Sequence, residues 1–108
     1  MSITINITYR GKDGSAQAFA KEMTESGTVA SILAEEGNEE YAYFQPFDDP
    51  DAILLIDRWR DQAAIDAHHA SPMMAEIAHL RDKYDLHMEV RMFADLDGGE
   101  QDRSFIRR

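Results

Sequence analysis

Five residues of this chain carry side chains whose chemistry goes beyond packing: Asn6, Trp59, His68, His87 and Arg91. An imidazole titrates near neutrality and can take up and return a proton. A carboxamide can donate a hydrogen bond to a developing anion. An indole offers a broad apolar wall with a single N–H. Each also has a plain structural reading. Asn6 is the one amide in a row of Ser and Thr on a strand. Trp59, the only tryptophan, closes an apolar strand and suits a core. His68 comes one turn after Ala64 and Ile65, so it faces inward, where a satisfied structural imidazole is the ordinary outcome. His87 and Arg91 alternate with Glu89, as on a solvated strand face. Other chemistries have no support. The chain has no cysteine, so a disulfide, thiolate site or thiol nucleophile is excluded. It shows no phosphate loop, nucleophile elbow or paired-histidine metalloprotease motif. The adjacent His68 and His69 diverge by roughly 100° on a helix, with no carboxylate at an obvious spacing, so no metal site is expected.

The elements that must position these residues follow from periodicity. Ile3, Ile5, Ile7 and Tyr9 alternate with Ser2, Thr4, Asn6 and Thr8, which predicts a half-buried strand ending at Gly11-Lys12-Asp13-Gly14. Phe19, Met23, Ala30, Leu33 and Ala34 follow helical spacing, with Ser15 as the expected N-cap. Gly27 interrupts this run, and Thr28 is a candidate cap for the second segment. Glu40 to Phe47 reads as a strand that Pro46 ends or places at an edge. Ala52 to Arg60 is a second strand, and the two form a hairpin across Asp48-Asp49-Pro50-Asp51. Asp61 can cap a short helix holding Ala64, Ile65 and His68. Ser71-Pro72 opens another, whose face is Met73, Ile77, Leu80 and Tyr84. A final strand spans about Leu86 to Phe93, with Leu86, Met88, Val90 and Met92 on one side.

The order βαββαβ is the ferredoxin-like α+β plan, an antiparallel sheet with helices on one face. The expected domain is residues 1–95, followed by a polar tail, 96–108. Phe105-Ile106 in that tail is an apolar pair able to latch onto the body or a partner subunit. Several strands are apolar on both sides: Tyr41 and Tyr43 against Ala42 and Phe44, and the run Ile53 to Ile56. A homodimer packed through its sheet faces satisfies both sides. The alternative is a second face that stays wet.

At 108 residues, 44% apolar and 30% charged, the chain suits one soluble domain. A formal net charge of −10 argues against nucleic acid and anionic lipid as partners. No apolar run is long enough to cross a membrane. Met1-Ser2-Ile3-Thr4 lacks the marks of a signal peptide, so a cytoplasmic location is expected.

Taken together, the motifs resemble the antibiotic-biosynthesis monooxygenase domain. The segments are Glu35-Glu36-Gly37-Asn38-Glu39-Glu40-Tyr41, Leu54-Leu55-Ile56-Asp57-Arg58-Trp59, Asp61-Gln62-Ala63-Ala64-Ile65-Asp66-Ala67-His68 and Ser71-Pro72. An acidic residue stands two before a strand-end Trp. A helical His follows nine residues later, and Ser-Pro comes shortly after. The resemblance covers about residues 2–94. It implies a dimeric α/β-barrel with a cavity between sheet and helices in each subunit. It also implies oxidation of a quinol, phenol or similar small aromatic substrate by O₂ with no cofactor. His68 matches the family's motif histidine, and Asn6 and Trp59 fall where members often place pocket residues. The expected catalytic residues are therefore His68 as base, Asn6 as donor to the developing anion and Trp59, and the expected substrate contacts are Tyr43, Phe44, Met73, His87 and Arg91. Leu55 and Ile65 stand where polyketide-tailoring members carry Asn and Tyr, which speaks against anthrone oxidation. His79 lies near the register of a haem-degrading member's histidine but off the helix's core face, so haem is a minor expectation. The rival readings are an isomerase or lyase of a small carbonyl compound, and a non-catalytic ligand-binding stress protein.

Overall fold

The computed structural model describes residues 1–96 and 103–107. Its elements are β1 (Ile3–Arg10), α1 (Ser15–Glu25), α2 (Thr28–Leu33), β2 (Asn38–Phe44), β3 (Ala52–Trp59), α3 (Gln62–His69), α4 (Met73–Lys83) and β4 (His87–Ala94). The four strands form one antiparallel sheet in the order β2-β3-β1-β4. This is the expected α+β plan, and the helices lie on one face of it.

Strand alternation divides the sheet cleanly. Ile5, Ile7 and Tyr9 of β1 lie opposite Asp57, Leu55 and Ile53 of β3, and all point toward the helices and are buried. Asn6 and Thr8 lie between them and face the other way, beside Ile56 and Leu54. The core is completed by Ala16, Phe19 and Met23 of α1, Ile32 of α2, and Ile77 and Leu80 of α4. β4 is different. Met88, Val90 and Met92 share the helix-side face of the sheet yet remain roughly half exposed, at 43%, 48% and 55%. The helices stop short of this edge.

Four local expectations change. Strand β2 ends at Phe44, before Pro46, which has no backbone N–H to give a ladder. Gly14, in the left-handed region, takes the N-cap of α1, so Ser15 falls inside the helix and its Oγ has no hydrogen-bond partner. Gly27 does the same for α2, at φ 87°. That turn resets the helical register, so Ile32 is buried and Leu33 is exposed. Ser71-Pro72 does open α4, but the Ser71 hydroxyl makes no cap; its carbonyl accepts from the Met74 N–H at 3.3 Å instead. Asp61 caps α3 as expected, accepting from the Ala64 N–H at 2.9 Å.

Phe105 and Ile106 are exposed in the single chain. Gly98 and Gly99 lie outside the described residues. No helix among the described residues is long and apolar enough to cross a membrane.

Candidate functional site

The Asp61 cap fixes where α3 starts, and Ala64, Ile65 and His68 then turn toward the sheet. His68 is 5% exposed and stacks on Trp59, with ring centroids 4.8 Å apart and planes inclined by 30°. Its Nδ1 lies 2.7 Å from Oε2 of Glu35, which sits just after α2. An ionised carboxylate can only accept, so the ring donates from Nδ1 and Nε2 is left for a ligand. The turn that delivers Glu35 depends on Gly37. At φ 86°, with a place for Cβ only 2.5 Å from Cβ of Ala64, no larger residue fits there without displacing α3. The Gly37 carbonyl also accepts from the Arg60 N–H at 2.7 Å, tying this turn to the end of β3.

His68 opens on a cavity of about 320 Å³ between the sheet and helices α3 and α4. Its walls are mostly apolar: Ile5, Ile7, Leu55, Ile65, Met74 and Ile77, with Met88, Val90 and Met92 along the uncovered β4 side. The polar groups are few. Besides His68 they include Tyr41, Asp57, Gln62, His69 and Arg81. Arg81 donates from Nη2 and Nε to the Tyr9 hydroxyl at 2.8 and 3.2 Å, and its guanidinium lies 5.5 Å from the centre of that ring. Burial raises the pKa of Tyr9, an effect that Arg81 opposes. Burial likewise pushes the Tyr41 and Tyr43 phenols upward.

Asp57 is 6% exposed, and its Oδ1 has no hydrogen-bond partner. Burial pushes its carboxyl up to about 7. The nearby Trp59 side chain opposes that rise and the Glu35 charge adds to it. The indole N–H stands close enough to act on the carboxyl as a dipole, but it makes no well-formed hydrogen bond.

The structure brings some of the expected site residues together and separates others. His68 lines the cavity and Trp59 backs it from below, fully buried. Tyr43 packs against Phe19 and Tyr41 in the core, and Met73 packs against the core beside Met74, which reaches the cavity. Asn6 does not join His68. It points from the opposite sheet face into a separate hollow with Thr8, Leu54, Glu89, Arg91 and Phe93, because neighbouring strand residues alternate sides. Phe44 lies on that face too, opposite Leu54. His87 belongs to a third hollow, with Arg10, Gly11, Lys12, Asp51 and Asp85. His79 is exposed on α4. The cavity's other polar groups, Tyr41, Asp57, Gln62, His69 and Arg81, and Glu35 behind His68, were not among the expected site residues.

The site is thus a small α+β fold whose largely apolar cavity, open along β4, holds one carboxylate-anchored imidazole. The antibiotic biosynthesis monooxygenase family model matches residues 2–80, so the chain belongs to that family. The match ends before β4, leaving His87 and Arg91 outside it. No curated protein matches in sequence. Among solved structures, a protein of Pseudomonas aeruginosa is similar at 24% identity, covering 89% of this chain and 95% of that one, with a TM-score of 0.75. A protein of Mycobacterium tuberculosis is similar at 19% identity, covering 93% and 100%, also at 0.75. SnoaB, a cofactor-independent oxygenase from Streptomyces nogalater, is similar at 16% identity, covering 90% and 95%, at 0.73. At these identities the likeness is one of fold.

Proposed function

We propose that this protein is a cofactor-independent monooxygenase acting on a quinol or similar small phenolic compound. The observation that carries the reading is His68: buried, held at Nδ1 by Glu35, stacked on Trp59, and lining a largely apolar cavity. A quinol supplies its own electrons, so the protein must deprotonate it, hold the anion and keep water away. Nε2 of His68 takes the hydroxyl proton. The N–H groups of Arg81 not committed to Tyr9 face the resulting oxyanion. The methionine and aliphatic walls offer water no hydrogen-bond partners. The overall change is balanced: quinol and O₂ give a hydroxyquinone and water, one oxygen atom going to each. Asn6, on the far face, has no part in this chemistry.

The same His68–Glu35 pair, with a second proton-holding group at Asp57, also suits an isomerase of a small carbonyl compound, which would shuttle protons without oxygen. Oxygen uptake by the purified protein against a panel of quinols separates the two. The expected result is substrate-dependent O₂ consumption that stops under nitrogen. Product formation that continues without O₂ overturns the oxygenase reading.

We further propose that the chain works as a homodimer. On the open sheet face Ala42, Leu54 and Ile56 are only partly covered, and Phe44 and Phe93 are exposed. These are apolar side chains that a second copy would bury, and the exposed pair Phe105-Ile106 is a further apolar element that such an interface would cover. Light scattering at micromolar concentration should give about twice the 12.3 kDa chain mass. A stable single-chain mass would sink this proposal. A cytoplasmic location remains the matching expectation for such an enzyme.

A further inference from the structure

We propose that Asp57 is the acid of the reaction, delivering its carboxyl proton to the peroxide formed when O₂ adds to the substrate anion. This rests on the oxygenase reading above and assigns a second working group to the same cavity.

The geometry sets Asp57 apart from every other carboxylate among the described residues. It stands on the helix-facing side of β3, in line with Ile53, Leu55 and Trp59, where the neighbouring strands offer Ile5 and Tyr41. It lines the cavity that His68 and Arg81 also line. It is buried, its Oδ1 accepts no hydrogen bond, and it makes no ion pair among the described residues. A buried carboxyl with no such compensation is far better tolerated as the neutral acid. The groups facing it are consistent with this. Tyr41 and Tyr43 come from β2, Tyr9 from β1 and Glu35 from the turn after α2. His68 and His69 come from α3, Arg81 from α4, and the Trp59 indole from its own strand. The guanidinium of Arg81 is committed to Tyr9. The nearest anchored carboxylate, Glu35, is spent on His68 and opposes a second negative charge.

The proton accounting then closes. His68 removes the hydroxyl proton of the quinol. A ring carbon of the anion bonds to O₂, and two electrons pass from substrate to oxygen. The terminal peroxide oxygen takes the Asp57 proton, giving a hydroperoxide and the Asp57 carboxylate. That carboxylate removes the hydrogen on the same ring carbon as the O–O bond breaks. The departing hydroxide takes the proton stored on His68 and leaves as water. Both residues return to their starting states, and the product is the hydroxyquinone.

Asp57→Asn keeps shape and neutrality but carries no transferable proton. With a quinol that the wild-type protein oxidises, the variant should bind with unchanged KM and lose kcat by about 100-fold. Peroxide should appear in place of part of the hydroxyquinone. Two further readouts need no turnover. Carbon-13 NMR of labelled aspartate in the wild-type chain should show one carboxyl titrating near neutrality, absent in the variant. In the wild-type protein the neutral acid stabilises the fold below the unfolded pKa, and this is lost as pH rises through the folded value. The melting-temperature advantage of Asp57→Asn should therefore widen from about pH 5 to about pH 8. Should the variant fail to fold, the wild-type titration decides: an Asp57 carboxyl ionising in the ordinary carboxylate range overturns the assignment. So does a folded variant with wild-type kcat and product yield. A wild-type protein that consumes no oxygen with any quinol overturns the underlying oxygenase reading, and this assignment with it.

Discussion

His68→Ala should lower oxygen consumption on an accepted quinol by about 10²- to 10⁴-fold, the range typical for loss of a positioned general base. The ring is the one imidazole held in the cavity by both a carboxylate and an aromatic face. His68→Gln makes the sharper test. An amide can still donate to Glu35 and fill most of the space, but it cannot accept a proton near neutrality. Its loss should approach that of alanine. Glu35→Gln should give a smaller loss, because the imidazole survives with its orientation less firmly set. Steady-state oxygen electrode measurements on the three variants rank these effects. Full activity in His68→Gln would show that the imidazole is a packing residue and end its assignment as base.

Trp59→Ala should cost the fold about 3–5 kcal/mol. The indole is buried at the end of β3, opposite Ile3 of β1 and Asn38 of β2, and forms the floor on which His68 rests. Removing it leaves a void that the paired strands cannot close. Against a total stability of about 5–15 kcal/mol this is a large fraction, and the melting temperature should fall by roughly 10 °C or more. Trp59→Phe should recover part of the loss, since a smaller ring still stacks on the imidazole. Thermal melts by circular dichroism check both. A Trp59→Ala protein melting within about 2 °C of wild type would show that the site collapses around the gap and that Trp59 is no platform.

Much of this was legible along the chain, and the reasons are specific. Period-two alternation in β1 and β3, and the Asp61 cap before Ala64, Ile65 and His68, gave the right elements and the right inward face. The same alternation already separated Asn6 from Ile5 and Ile7, so it held the clue that Asn6 and His68 occupy opposite sides of the sheet. Asp57 left a clear signal as well: a lone carboxyl in the Ile53, Leu55, Trp59 row. Arg81 left another, four residues after the buried Ile77 on α4. Glu35 left none. In a run of two glutamates at the end of a helix it reads as solvated surface, and its partner His68 is 33 residues away in sequence. Ala30, Leu33 and Ala34 extend the spacing of Phe19 and Met23 but are exposed, because at Gly27 the backbone leaves the right-handed region and the helical count restarts.

The half-exposed methionines of β4 bear on how long such a catalyst lasts. On the oxygenase reading, any peroxide that escapes before its O–O bond breaks leaves past the thioethers of Met88 and Met92. Thioethers are soft and readily become sulfoxides, which are polar and chiral. Each such event roughens and wets the wall that kept water out. On that reading the cavity would age with use, its working life counted in turnovers instead of hours.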